Sequence, residues 1–344
     1  MIDLRSDTVT KPSPEMRLAM ANAEVGDDVF GEDPSINRLQ DMTADLLGFE
    51  AALFVPSGTM ANQLCIKSHT QAGDEIIMEQ SNHPFRSESG GVAALAGVQV
   101  NQISGRRGII TADQIAPQIR SGEDPHHAPT RLVCLENTHN RGGGTIYPIE
   151  TIRDIRDLTQ RHHIPLHLDG ARLLNASVAM GVPATEITQY FDTATLCLSK
   201  GLGAPVGSLL AGSADFVKRA NRFRKMFGGG MRQAGIIAAA GIYALEHHVE
   251  RLAEDHHHAK LLAERLAQAK GVRLDPKHVE TNILFIELDL EKARLDAYAL
   301  MAGMRERGVL ANASSPTTMR LVTHLDVSRT QVEQAAEVIC SLLG

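Results

Sequence analysis

The chain has 344 residues, of which 43% are hydrophobic, and a net charge of −7 at pH 7. This length and hydrophobic content predict a substantial core divided between two domains. The net negative charge and the absence of any Lys/Arg-rich run argue against a nucleic-acid-binding surface, because phosphate binding depends on positive charge. The longest apolar stretch, Ile236 to Leu245, is far shorter than the ~20 residues of a membrane helix. Charges in MIDLRSDTVT argue against a signal peptide, so we expect a cytoplasmic protein.

Apolar runs of strand character alternate with helical patterns along the first two thirds of the chain. The runs are AALFV (51–55), EIIM (75–78), VQVNQI (98–103), RLVCLE (131–136), PLHLD (165–169), TATLCLS (193–199) and GSLLA (207–211). Helix signals lie between them, such as the capping box of Thr111 and Gln114 and the helix opened by Pro148. This alternation predicts a mainly parallel sheet with helices on both faces.

A long helical pattern follows over residues 231–268, where alanine and leucine recur at helical spacing and Gly241 is the one evident weakness. It predicts a single helix that connects two domains. The remaining chain has a smaller α/β character, with strand-like runs at 282–288 and 319–324. We therefore predict a large domain over residues 1–250, which includes an N-terminal arm, and a small domain over residues 251–344.

The thiols and histidines form no recognisable metal-binding pattern. Four cysteines are scattered without a CxxC pair, and three of them lie in apolar runs, which predicts buried, reduced thiols. They are Cys65, Cys134, Cys197 and Cys340. The triplet 256–258 in EDHHHAK lies in the long helical pattern, where consecutive residues point to different faces, so we interpret it as solvated helix surface.

Chemistry is expected just beyond the carboxyl ends of the strands, where open parallel sheets bind ligands. PSGTMAN follows the first run and places Gly58 and Thr59 at the start of a helix, where backbone N–H groups suit a phosphate. Asp169 ends the run PLHLD, and Lys200 follows TATLCLS. Pyridoxal 5′-phosphate needs a lysine for its Schiff base, a carboxylate for its ring nitrogen and a phosphate cradle.

Each of these residues also has an ordinary interpretation. Lys200 could be a surface lysine in a loop and Asp169 a helix cap, so the hypothesis depends on their combination. GLGAPVG resembles a dinucleotide-binding loop, but its glycines are spaced GxGxxxG, and Pro205 lies where a helix would begin. GSLLAG then continues as a strand, which argues against NAD.

Eight motifs occur in an order that resembles the L-threonine aldolases, which are pyridoxal-phosphate enzymes. They are MIDLRSDTVTKPS, VGDDVFGEDPS, PSGTMAN, LENTHN, HLDGAR, LSKGLGAPVGS, GGGMRQAG and RLVTHLD. The resemblance covers nearly the whole chain. It implies fold type I, the aspartate aminotransferase-like fold, with a large domain built on a mostly parallel seven-stranded sheet and a smaller C-terminal α/β domain.

The resemblance also implies roles for individual residues. Lys200 would form the Schiff base, Asp169 would contact the ring nitrogen, and His83 would stack on the ring. The remaining cofactor contacts would come from Gly58, Thr59, Arg172 and Arg232. Arg232 would reach a phosphate in a neighbouring subunit, as in homotetramers built from paired dimers. The substrate carboxylate would bind Ser6, Arg172 and Arg320, because arginine gives planar, charge-assisted contacts.

The reaction implied is cleavage of L-allo-threonine, L-threonine or both to glycine and acetaldehyde. The base for the β-hydroxyl proton stays open among His83, His126 and a water held by the phosphate. The same residues could also run transamination or β-elimination, or belong to a non-catalytic pyridoxal-phosphate protein. A structural cation bound with help from the hydroxyls of Thr8 and Thr10 is a further open question.

Overall fold

The main sheet of the protein has seven strands. The computed structural model describes residues 1–344. The strands are β1 (Ile2–Asp3), which lies outside this sheet, and β2 (Ala51–Val55), β3 (Glu75–Glu79), β4 (Gln99–Ile103), β5 (Thr130–Glu136), β6 (Leu166–Asp169), β7 (Thr193–Cys197) and β8 (Ser208–Gly212). The sheet has the order β2-β8-β7-β6-β5-β3-β4, and only β8 runs antiparallel to its neighbours. Each predicted run overlaps one strand, which confirms a mostly parallel seven-stranded sheet.

Helices cover this sheet, and β3, β6, β7 and β8 are buried along their whole length, as strands covered on both faces are. The helices of this part are α1 (Pro14–Ala21), α2 (Pro34–Leu47), α3 (Gly58–His69), α4 (His83–Arg86), α5 (Ala112–Ile115), α6 (Ile149–Arg161), α7 (Leu173–Met180), α8 (Thr185–Thr188), α9 (Ala214–Met226) and α10 (Gly235–His247). The capping box of Thr111 and Gln114 is confirmed at the start of α5. Pro148 is the N-cap of α6.

The single helix predicted over residues 231–268 is wrong, because the chain turns between α10 and α11 (Leu252–Leu266). Buried side chains of α10 belong to the core around the main sheet, as does Leu252 at the start of α11, whereas the other buried apolar side chains of α11 belong to a second core. Helical spacing continues across the turn, so periodicity alone cannot reveal that the two halves face different cores. Gly241 does not interrupt α10. An added Cβ at this position would lie 2.7 Å from Leu198 Cδ1, so glycine allows the helix to pack closely against Leu198.

The second core surrounds a smaller antiparallel sheet of four strands. The elements of this part are β9 (Val272–Arg273), β10 (Ile283–Leu288), α12 (Ala297–Glu306), β11 (Val309–Leu310), β12 (Asn312–Ala313), β13 (Thr318–Val322) and α13 (Arg329–Leu343). The sheet has the order β12-β13-β10-β9. Strand β1 pairs with β11, and Ile2 and Leu4 are buried in this second core. The N-terminal arm therefore packs against the C-terminal part of the chain. The division after residue 250 stays a prediction.

The cysteines and the histidine triplet complete the comparison with the sequence. Cys65, Cys134 and Cys197 are buried free thiols, as predicted, and Cys340 is half-buried. In the triplet only His257 is exposed, whereas His258 is buried and His256 Nε2 lies 3.1 Å from Asn175 Nδ2. The interpretation as solvated surface is therefore wrong for two of the three rings. None of the helices is long and apolar enough to span a bilayer.

Candidate active site

A polar cavity of about 340 Å³ lies beside the carboxyl ends of the main-sheet strands, at the boundary with the smaller sheet. Five predicted site residues line it, namely Ser6, His83, Arg172, Lys200 and Arg320. The other lining residues are Thr8, Ser87, Asn140, Arg141, Phe285, Asn312 and Ser314. Phe285 is the only apolar member. The cavity therefore suits a small, charged ligand better than an apolar one.

Lys200 lies in a turn three residues after β7 and is half-buried. Thr10 Oγ1 donates a hydrogen bond to the Lys200 carbonyl oxygen at 3.0 Å, which anchors the turn to the N-terminal arm. The turn passes through left-handed backbone at Gly203 and Gly207, where φ is +77° and +107°. Lys200 Nζ has no hydrogen-bond or ion-pair partner in the protein, so this amine is available to a ligand.

Asp169 ends β6 and is 1% exposed. Its Oδ2 accepts a hydrogen bond from Asn62 Nδ2 at 2.9 Å, and its Oδ1 accepts one from the Ala171 N–H at 3.1 Å. Asn62 lies in α3, the helix that follows β2. A carboxylate this deeply buried is retained in proteins when it is hydrogen-bonded or paired with a cation.

The start of α3 fits a phosphate group. Ser57 caps the helix by accepting a hydrogen bond from the Met60 N–H, which leaves the N–H groups of Gly58 and Thr59 without a protein acceptor. An added Cβ on Gly58 would lie 2.6 Å from Cys197 Sγ. Ser208 Oγ, 3.5 Å from the same position, is buried without a hydrogen-bond partner. A free amine, a buried carboxylate and free helix N–H groups are together the contacts that pyridoxal 5′-phosphate needs.

His83 begins α4, four residues after the end of β3, and it contacts two carboxylates. Its N–H donates to Glu136 Oε2 at 2.7 Å, and its Nδ1 lies 2.8 Å from Glu88 Oε1. The hydrogen bond with Glu88 raises the pKa of His83, partial burial opposes this rise, and the charges of Asp169 and Glu136 add to it. The ring is still one third exposed to the cavity.

Two arginines enter the cavity from different parts of the chain. Arg320, in β13, donates from Nη1 to Asn140 Oδ1 and from Nη2 to the Arg5 carbonyl oxygen, both at 3.1 Å. Arg172 is buried, and its Nε and Nη2 each contact Asp7 at 2.6 Å, which leaves Nη1 without a protein partner. Burial would raise the pKa of Asp7, but the Arg172 charge holds it well below its usual range.

Five predicted site residues do not line the cavity. Gly58, Thr59 and Asp169 lie at the start of α3 and the end of β6, whereas His126 and Arg232 lie on exposed parts of the chain. His126 lies in an exposed loop, where its Nδ1 pairs with Asp124 Oδ1 at 2.8 Å. Arg232 is half exposed and pairs with Asp27 at 2.9 Å. Ser6 lines the cavity, but its hydroxyl also accepts hydrogen bonds from the N–H and hydroxyl of Thr8. The roles of His126, Arg232 and Ser6 stay predictions.

Four polar residues that support the site were not predicted from the sequence. They are Asp7, Asn62, Glu88 and Asn140. Three of them lie inside quoted motifs, but Glu88 lies in a polar segment without a recognisable pattern. Donor atoms of His83, Glu88 and Asp169 lie within 4.8 Å of one another. Because hydrogen bonds through Asn62 account for this cluster, we assign it no metal.

Comparison with known proteins identifies the family. Residues 3–290 match the β-eliminating lyase family. The low specificity L-threonine aldolase of Escherichia coli strain K12 is 50% identical over 337 residues, covering 98% of this chain and 97% of that protein. The chain belongs to the L-threonine aldolase family. The low-specificity L-threonine aldolase 1 of Arabidopsis thaliana is 42% identical over 334 residues, covering 96% and 93% of the two chains.

Solved structures support the fold of this family member. The threonine aldolase of Leishmania major superposes with a TM-score of 0.84 at 20% identity, covering all of both chains. The serine palmitoyltransferase of Sphingomonas wittichii gives a TM-score of 0.78 at 18% identity, covering 99% and 86% of the two chains. Fold type I is therefore confirmed. Membership in the aldolase family implies pyridoxal 5′-phosphate as the cofactor.

Proposed function

We propose that the protein cleaves L-allo-threonine and L-threonine to glycine and acetaldehyde, with pyridoxal 5′-phosphate bound at Lys200. The observation that supports this most is that the unpaired Lys200 amine shares one cavity with the guanidinium group of Arg320. A covalent anchor and a carboxylate-binding cation are thus close together, as a reaction at the α-carbon of an amino acid requires. The names of the relatives support the same substrate class.

The cofactor would be held at three points. Lys200 Nζ would hold it covalently, the Asp169 carboxylate would bind the protonated ring nitrogen, and the free N–H groups of Gly58 and Thr59 would bind the phosphate. His83 would stack on the ring, and Arg172 would contact it from the cavity wall. When bound, the cofactor supplies an electron sink for the carbon–carbon bond that breaks.

The substrate would be oriented by its carboxylate. Arg320 and the free Nη1 of Arg172 are the two charged donors for it, and the Ser6 hydroxyl is a neutral one. Asn140 and the Arg5 carbonyl oxygen hold the Arg320 guanidinium in place, so little side-chain freedom is lost on binding. Fixing the carboxylate turns the Cα–Cβ bond toward the orientation in which it can break.

The base that accepts the β-hydroxyl proton would be His83. Its ring borders the cavity, and its Nε2 has no hydrogen-bond partner in the protein, whereas His126 lies in an exposed loop. Proton transfer by a positioned side chain contributes about 10² to 10⁴-fold to a rate. Which diastereomer reacts faster would then depend on which face of Cβ directs its hydroxyl to this nitrogen.

The chain would assemble as a cytoplasmic homotetramer of paired dimers with shared active sites. Large apolar side chains are exposed in two segments, residues 18–30 and 224–236. The ion pairs Asp27–Arg232 and Asp28–Arg224 join these two segments. These side chains are Leu18, Val25, Val29, Phe30, Met226 and Ile236. Such a patch is typical of a subunit interface. Arg232 lies within it and would contact the neighbouring cofactor. Free thiols suit a reducing compartment.

Product analysis tests this function. The holoenzyme is incubated separately with L-allo-threonine and L-threonine, and acetaldehyde, glycine, keto acid and ammonia are measured. We expect acetaldehyde and glycine in equal amounts, with no keto acid. A keto acid with ammonia would instead establish β-elimination, and a keto acid without ammonia would indicate transamination. A cofactor absorbance band without any product would support a non-catalytic protein.

A further inference from the structure

Glu88 is a buried carboxylate beside the cavity that has no role in the proposed cleavage so far. Its side chain is fully buried, and no lysine or arginine pairs with it. Oε1 lies 2.8 Å from His83 Nδ1 and 2.9 Å from Asn62 Nδ2, and Oε2 lies 2.6 Å from Gln63 Nε2. Burying a carboxylate without a cation is costly, so these three contacts must offset that cost.

The contacts of Glu88 determine which ring nitrogen of His83 is protonated. A carboxylate only accepts hydrogen bonds, so the His83 Nδ1 that contacts it must carry a hydrogen. In the neutral ring the other nitrogen, Nε2, then has a free lone pair. This nitrogen has no partner in the protein, and the ring borders the cavity that contains Lys200 and Arg320.

The direction of the His83 ring is fixed at two points. The backbone N–H donates to Glu136 Oε2, and Nδ1 donates to Glu88 Oε1. Asn62 Nδ2 donates both to Glu88 Oε1 and to Asp169 Oδ2, each at 2.9 Å. One amide therefore connects the carboxylate that orients His83 to the carboxylate proposed to bind the cofactor ring, so the two groups keep a fixed separation.

We propose that Glu88 is a positioning residue that fixes the Nδ1–H tautomer of His83, so that Nε2 accepts the β-hydroxyl proton of the substrate. This inference rests on the proposed function. In the step, the O–H proton moves to Nε2, and the oxygen forms the carbonyl group of acetaldehyde. The electron pair of the broken Cα–Cβ bond stays with the glycine fragment, which takes up a proton at Cα.

The charges around His83 set the direction of the expected pH effect. Glu88 is the largest cause of the raised pKa of His83, and Asp169 and Glu136 add to the rise. The cations that line the same cavity are Arg141, Arg172, Lys200 and Arg320. A base must be neutral to accept a proton, so activity increases as the pH rises through the pKa of His83. Removing the Glu88 charge lowers that pKa and moves the acidic limb of the pH profile to lower pH.

Glu88→Gln is the variant that tests this with the least disturbance. Glutamine has the same shape, and its amide can donate to Gln63 Oε1, which is buried without a partner. Glu79→Gln is the matched control, since it removes another buried carboxylate that contacts Ser81 and His139 but not His83.

With L-allo-threonine we expect kcat of Glu88→Gln to fall about tenfold or more, while KM stays within about twofold of the wild-type value. The acidic limb of the pH profile should move down by about one pH unit. Glu79→Gln should keep the wild-type limb.

Histidine nitrogen NMR of the holoenzyme gives a readout independent of turnover, with His83→Gln assigning the signals. We expect a protonated Nδ1 and an unprotonated Nε2 in the wild type, and a lower midpoint for His83 in Glu88→Gln. A wild-type ring protonated at Nε2, or an unchanged midpoint and limb in the variant, would overturn the inference. If Glu88→Gln fails to fold, the tautomer of the His83 ring in the wild type tests the inference by itself. Absence of acetaldehyde from the wild type would overturn the proposed function but not the tautomer.

Discussion

Arg172 and Asp7 form a buried bidentate ion pair, in which the guanidinium Nε and Nη2 each lie 2.6 Å from a carboxylate oxygen. Both side chains are almost inaccessible to solvent, and Asn282 Nδ2 donates a third hydrogen bond to Asp7 Oδ2 at 3.1 Å. The pair joins the N-terminal arm to the start of α7, and Nη1 of this cavity-lining arginine has no protein partner. Asp7 therefore positions Arg172 for a ligand.

Asp7→Asn should destabilise the protein and weaken substrate binding. Removing one partner from a buried ion pair costs about 3 to 5 kcal/mol, because the remaining charge stays buried. We expect a fall of this order in the free energy of unfolding, measured with urea at fixed protein concentration, and a higher KM for L-allo-threonine. Wild-type stability and KM would show that Arg172 does not depend on this pair.

Arg320→Lys should raise KM at least tenfold while changing kcat little. Lysine keeps the charge but loses the planar donors that now contact Asn140 and the Arg5 carbonyl oxygen and would bind the substrate carboxylate. Steady-state kinetics with L-allo-threonine measure both constants. Arg305→Lys, on α12 outside the cavity-lining set, is the control. An unchanged KM in Arg320→Lys would remove Arg320 from substrate binding.

Gly58→Ala should impair cofactor binding, because the added Cβ would lie 2.6 Å from Cys197 Sγ and push the start of α3 outward. Overpacking of this kind costs about 1 to 3 kcal/mol. Titration of the cofactor-free protein with pyridoxal 5′-phosphate, followed by absorbance, should give a dissociation constant at least tenfold higher. Cys197→Ala removes the contacted sulfur, so the double variant should recover most of the affinity. A double variant as weak as Gly58→Ala would argue against this steric explanation.

Acidification should destabilise the fold between about pH 6.5 and pH 4 because two histidines, the buried His167 and the half-buried His69, resist protonation. Burial lowers the pKa of His167 to about 4 and that of His69 to about 3, and each ring lies 3.0 Å from Thr193 Oγ1. Below pH 6.5 the unfolded chain takes up protons that these folded rings do not, so stability falls with pH.

From pH 7 to pH 5 each ring should cost about 2 kcal/mol of unfolding free energy. Urea unfolding at the two pH values measures this loss. His167→Asn should reduce it, whereas the control His162→Asn, at the exposed end of α6, should not. An equal loss in wild type and His167→Asn would contradict the explanation.

The sequence alone was sufficient to predict the main sheet and the functional residues at the ends of its strands. Asp169 and Lys200 each follow an apolar run, and parallel strands place the ends of such runs at one edge of the sheet. The pairs Asp7–Arg172 and Asn140–Arg320 span 165 and 180 residues, and no local pattern indicates that these side chains meet. The turn between α10 and α11 was missed because helical spacing does not reveal which core each turn of a helix contacts.

Acetaldehyde release from L-allo-threonine, by the wild-type holoenzyme and by Lys200→Ala at equal concentration, tests the central claim most directly. The claim that Lys200 holds the cofactor for the reaction predicts release by the wild type and a rate at least about 10³-fold lower in the variant. L-threonine run alongside ranks the two diastereomers. A variant with activity near that of the wild type, or a wild type that releases no acetaldehyde, would contradict the claim.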